Sequence, residues 1–178
     1  FRVLNGLQEQ LSEHCVAIHL PIGAEHEMTG IVDLLHMCAY TSPDGQREDN
    51  ATEIPADLQA QVDEYHTKLL DAVVETDEKL MERYLEGEEL PVPEVAHALK
   101  DAVTRGELFP VACGVATKNL GTTALLDLLV EGVPSPAKRP PSIEVEGTAA
   151  FVFKTVADPF AGRINLFRVL SGSISSDS

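Results

Sequence analysis

Apolar and polar positions along the chain follow helical and strand rhythms in turn. Phe1, Val3, Leu4, Leu7 and Leu11 recur at helical spacing through "FRVLNGLQEQLSEH". "CVAIHLPIG" is a continuous apolar run, ended by Pro21 and Gly23, that predicts a strand, and "MTGIVDLLHMCAY" continues in a β-rich pattern. "TSPDGQREDN" carries Pro-Asp-Gly turn chemistry and predicts a loop or hairpin tip.

A helical period then takes over. "IPADLQAQVDEYHTKLLDAVVE" places Leu58, Val62, Tyr65, Leu69 and Val73 on one stripe, with Pro55 suited to a first turn. "DEKLMERYLEG" predicts a second helix with Thr76 as its cap and Gly87 as its stop, and "PEVAHALKDAVTRG" a third from Pro93 to Gly106.

Strand, loop and helix follow as "LFPVACG", "CGVATKNLG" and "TTALLDLLVEGV". That order belongs to an α/β unit, whose ligands gather at the carboxyl ends of the strands. "PSPAKRPPS" is proline-dense and predicts a stiff linker. Beyond it, "GTAAFVFKTVADPFAGRINLFRVLSGSI" alternates in the β manner around a turn at "DPFAG", as the start of a barrel or sandwich. Both ends read as cut from a longer chain: the first helix has neither cap nor methionine, and the last strand pattern stops at once.

Composition divides the chain at the linker. Of 178 residues with a net charge of −16, positions 1 to 135 hold 25 acidic and 8 basic residues (net −17), and positions 136 to 178 hold 4 and 5 (net +1). So acidic a surface repels nucleic-acid phosphates, which leaves RNA contact to a local patch. From Glu48 to Glu94 there are 15 acids against Lys68, Lys79 and Arg83. They form either a solvated helical face or a docking surface for a basic partner, where charge mainly raises the association rate.

Candidate chemistry is sparse. Cys15, Cys38 and Cys113 sit singly in apolar runs, without zinc or disulfide spacing, which fits a reducing, cytoplasmic setting. No apolar run approaches ~20 residues and there is no signal-peptide pattern, so neither a membrane span nor a leader is expected. His14, His19, His26, His36, His66 and His97 are scattered, with no pair at the i, i+4 spacing of a metal-binding helix. "GAEHE", with Glu25, His26 and Glu27, reads as a polar turn rather than a ligand cluster, and no metal site or catalytic residue is assigned. In "CGVATKNLG", Lys118 stands three residues before Gly121, whereas a phosphate-binding P-loop places its lysine directly after the glycine. The loop remains either a plain strand-to-helix turn or a backbone-lined base-binding loop.

Taken in order, "LPIGAEHEMTGIVDLLHMCAY", "IPADL", "LMERYLEGEEL", "LFPVACGVATKNLG", "LLDLLVEGVPSP" and "FVFKTVADPFAGRINLFRVLSG" resemble the interior of bacterial elongation factor G or a close paralogue, across nearly the whole chain. The resemblance implies an α/β fragment of a P-loop GTPase with an α+β G-prime insertion, followed by an incomplete all-β barrel. Residues 1–23 would be the end of the GTPase domain, 24–106 the G-prime insertion, and 107–135 the return to the GTPase fold. A linker would cover 136–146, and domain II would begin at 147. Class II release factors and tetracycline-resistance ribosomal protection proteins share the architecture, but the insert is most similar to that of elongation factor G.

The same resemblance makes Gly114, Val115 and Ala116 the guanine-base loop, with Val115 where the family carries serine. It implies a cytoplasmic parent protein that binds GTP or GDP with Mg²⁺ and drives movement of transfer RNA and messenger RNA on the ribosome. Its partners would be the ribosomal stalk protein, through the insertion, and small-subunit RNA, through Arg163 and Arg168 of domain II. The P-loop, both switches and the NKxD motif are not among these residues, so the fragment alone is expected to hold no nucleotide and to hydrolyse none. Val115, Met37 and Cys38 point toward a paralogue, with ribosome recycling or rescue as the alternative role. Two other classes stay open: an acidic interaction module without nucleotide, and a small hydrolase or metalloenzyme built on the Cys and His residues.

Overall fold

A computed structural model describes residues 2–41, 51–135 and 146–176. It is mixed α/β with small sheets, and among the described residues no barrel closes. The chain divides into two compact units, Phe1–Pro134 and Ser135–Ser178.

In the first unit, α1 (Arg2–Gln10) leads to β1 (Cys15–Ala17), which pairs in parallel with β5 (Phe109–Val111). Gln8 Nε2 donates to the Cys15 carbonyl at 2.8 Å, tying the helix to the strand that follows it. The apolar run read as one strand is in fact two. After Ile18 it continues as β2 (His19–Ile22), the edge of an antiparallel sheet ordered β2-β3-β4, with β3 at Gly30–Asp33 and β4 at Cys38–Thr41. Ile18 makes the transfer: its N–H donates to Val111 O at 3.0 Å, while its carbonyl accepts from Leu34 N at 2.9 Å. All its backbone groups are thereby paired although it lies between two sheets, as burial demands.

Asp33 shapes the β3–β4 turn. Its Oδ1 accepts from the Leu35 and His36 amides at 2.8 and 3.0 Å, and its Oδ2 faces His36 Nδ1 at 2.9 Å. Every residue of β3 is buried. Because successive side chains leave a strand on opposite faces, β3 separates two cores. Val32 enters the larger with Leu34, Val62, Leu69, Val73, Val95 and Leu99, and Ile31 enters the smaller with Met28, Leu120 and Ala124.

Three helices cover the sheet: α2 (Gln59–Val74), α3 (Glu78–Leu85) and α4 (Val92–Arg105). The α2 stripe turns inward as its spacing predicts, with Val62, Leu69 and Val73 buried and Tyr65 half-buried. Two local expectations change. Pro55 does not open the helix but starts a turn before it, with Leu58 N donating to Pro55 O at 2.9 Å. Asp77, not Thr76, caps α3: its carboxylate accepts from the Lys79 and Leu80 amides at 3.0 and 3.2 Å, while Thr76 Oγ1 donates backward to Val73 O at 2.7 Å. A charged acceptor one residue nearer the helix satisfies two of its orphan donors, which a back-bonded threonine cannot. Arg83 then grips Glu88 with two donors and reaches Glu94, fastening α3 to the start of α4.

The second unit is an antiparallel hairpin, β6 (Ala149–Asp158) and β7 (Gly162–Ser171). Asp158 Oδ1 accepts from the Phe160 and Ala161 amides at 2.8 and 2.7 Å, closing the expected "DPFAG" turn. The "SPDGQREDN" stretch, residues 42–50, and residues 136–145 of the expected linker lie outside the described residues.

Candidate functional site

The loop that follows β5 closes on itself. Val115 N donates to Leu120 O at 2.9 Å and Leu120 N returns to Val115 O at 3.1 Å, so an antiparallel bridge forms its base. Inside, Ala116–Lys118 form one 3₁₀ turn, in which the Lys118 and Asn119 amides donate to the carbonyls of Val115 and Ala116 at 3.0 and 3.2 Å. The Ala116 and Thr117 amides come first in the turn, where a helical ladder offers no partner. Asn119, in the left-handed region at φ 54°, reverses the chain, and the helix α5 (Thr122–Glu131) begins directly after Gly121. Ala116 to Asn119 are exposed, so the loop is an open ledge at the carboxyl end of a parallel strand.

Its two glycines are required by proximity. A side chain on Gly114 would stand 2.8 Å from Leu120 O, and one on Gly121, at φ 76°, would stand 2.8 Å from Cys113 O and 3.1 Å from Gly114 Cα. The bracketing seen in the sequence is thus a neck where two backbones touch.

The floor of the ledge comes from the segment before α2. Met28 and Ile31 pack with Leu120 and Ala124, and Tyr40, Cys113 and Val115 close in around them. Val115 spends its side chain on this smaller core. Lys118 Nζ donates to His26 O at 2.7 Å, across 92 positions of sequence, so "GAEHE" is a 3₁₀ turn that receives the loop's lysine. Sequence reasoning missed this bond because a lysine in a loop carries no mark of its acceptor.

Ionisable groups nearby are held in their neutral forms. Burial pushes the Cys113 thiol up to about 11 and raises that of Cys38, and burial together with the Cys38 hydrogen bond pushes Tyr40 up to about 12. A thiol kept protonated is a poor nucleophile and a poor metal ligand. Among the described residues, no three of His, Cys, Asp and Glu stand together as a metal site. His19 is buried, and burial lowers its imidazole below the usual value, against the opposing pull of Asp33. It lines a cavity of about 40 Å³ shared with Asp33, His36, Asp127 and Glu131, room for water but not for a nucleobase. His66 Nδ1 lies 2.7 Å from Leu34 O, a carbonyl that only accepts, which puts the proton on Nδ1.

Arg163 and Arg168 are both exposed on β7. They are five residues apart on a strand whose pairing from 162 to 169 skips no β7 position, so they project from opposite faces of the hairpin. The structure therefore does not gather them into one patch. The face of Arg168 carries Lys154, Ile164 and Leu166, and that of Arg163 carries Asn165 and Phe167.

No protein-family model matches the chain. Among solved structures it is similar to a crystal structure of a protein from Thermus thermophilus, at 34% identity and a TM-score of 0.79 over 96% of this chain. The chain spans 25% of the length of that protein. The likeness establishes a shared mixed α/β fold with a longer protein.

Proposed function

We propose that this chain is an interior segment of a translational GTPase related to elongation factor G, with the 113–121 loop as its guanine-base loop. One observation carries the reading: a self-closed loop at the carboxyl end of a parallel strand, opening a helix, presents the first amides of a 3₁₀ turn at Ala116 and Thr117. Backbone donors on an exposed ledge suit a base carbonyl, and a ligand at a strand's carboxyl end follows the general rule for α/β sheets. The side chain of Val115 is engaged in the smaller core, so the backbone contact does not depend on the serine it replaces. The Thermus protein, of whose length this chain spans 25%, is similar over this segment and supports a parent with further domains.

In this reading GTP, GDP and Mg²⁺ belong to the parent protein, and its partner is the ribosome. The acidic helices would meet the stalk protein, and one face of the β6–β7 hairpin would meet small-subunit RNA. Translocation and ribosome recycling are both open to such a parent, and valine at position 115, where the family carries serine, points toward a paralogue.

Two measurements test it. The full-length parent should hydrolyse GTP faster in the presence of ribosomes, and the absence of any such stimulation would sink the proposal. The 178-residue chain alone should show no micromolar binding of a fluorescent GTP analogue, because the phosphate and magnesium ligands are not in it.

A further inference from the structure

We infer that Lys118 is a positioning residue that ties the conformation of the 113–121 loop to the turn at residues 24–29, so that a change at either segment is felt at the other. The tie goes beyond the guanine reading and stands whether or not the loop meets a base.

Three observations converge on it. The loop's lysine donates to His26 O at 2.7 Å, the carbonyl of a turn that lies between β2 and β3. Beneath that bond the two segments share a core: Met28 and Ile31 come from the turn and β3, and Leu120 and Ala124 from the loop and α5. At the far end of α5, Lys100 of α4 donates to Val130 O at 2.9 Å, a cation at a helix C-terminus, where the dipole favours it. The loop and α5 are thus pinned at both ends by lysine-to-carbonyl bonds to the segment between β1 and β5. A closed loop whose interior bonds are all local has few discrete arrangements, so losing the outer pin loosens loop and turn together.

Hydrogen exchange on the 178-residue chain tests the tie. Lys118→Met should speed exchange about threefold to tenfold at the loop amides of Lys118, Asn119 and Leu120. It should also do so at Glu27 and Thr29, whose N–H groups donate to Ala24 O and Ile22 O. Lys118→Arg, whose guanidinium also donates to a carbonyl, should restore both segments, and Lys100→Met should affect only the end of α5. The inference is overturned if Lys118→Met changes the loop and not the turn, or speeds every amide of the unit alike. It is equally overturned if exchange does not change, or if arginine fails to rescue. None of these outcomes depends on nucleotide, so failure here is separate from failure of the proposed function.

Discussion

Gly114 and Gly121 meet backbone to backbone at the neck of the loop, where a Cβ on Gly121 would stand 3.1 Å from Gly114 Cα. Gly121→Ala therefore carries two costs: the left-handed conformation at φ 76°, worth about 1–2 kcal/mol for an L side chain, and the collision with Cys113 O. Gly106 has nearly the same φ, 75°, but open space around it. Gly106→Ala should lose only the first term. Urea denaturation of both variants should place Gly121→Ala lower, by about 1 kcal/mol or more. Equal midpoints would mean that the neck is looser than its geometry implies.

The cap of α3 gives a second comparison between neighbours. Asp77→Ala strips two amides of their acceptor and should cost about 1 kcal/mol. Thr76→Ala removes a back-bond to Val73 O that leaves the helix start untouched, and should stay within about 0.5 kcal/mol. Reversal of that order in denaturant midpoints would restore Thr76 as the cap.

These positions also show what a sequence can carry. The α2 stripe was legible because Val62, Leu69 and Val73 repeat at the helical period and one face is buried. The transfer between sheets at Ile18 was not, since a continuous apolar run suits a strand buried on both faces whichever partner it takes. Burial on both faces hid the smaller core in the same way, with Ile31 and Val32 adjacent in sequence but on opposite sides of β3. Of the candidate site, the loop's limits were visible in its two glycines. Its floor and its lysine bond were invisible, because Met28 and His26 lie far away in sequence. The two arginines of β7 were legible as residues but not as opposite faces, which only a strand register fixes.

Val115 offers a test of what its side chain does for the loop. Half-buried against Met28, Ile31, Leu120 and Ala124, its methyl groups contribute apolar burial that a hydroxymethyl cannot. Val115→Ser should cost about 1 kcal/mol, close to the cost of Val115→Ala, since both remove the same two methyls. Equilibrium unfolding should detect it without a change of m-value. A serine clearly more stable than alanine would show that its hydroxyl braces the loop here.

His19 predicts how stability depends on pH. Burial lowers its imidazole below the ordinary value of 6.5, with Asp33 opposing and His36 assisting. The folded state therefore binds this proton less readily than the unfolded state. Between the two pKa values the unfolded chain holds more protons, so stability rises with pH in that interval. The contribution is fully present above the unfolded value of 6.5 and is lost as pH falls below it toward the folded value. Thermal melts should show stability declining as pH falls below 6.5, with a slope of at most ~1.4 kcal/mol per pH unit for a single proton. His19→Gln, which cannot titrate, should flatten that decline while leaving any steeper loss near pH 4 unchanged. A decline that persists undiminished in the variant would assign the effect to another histidine.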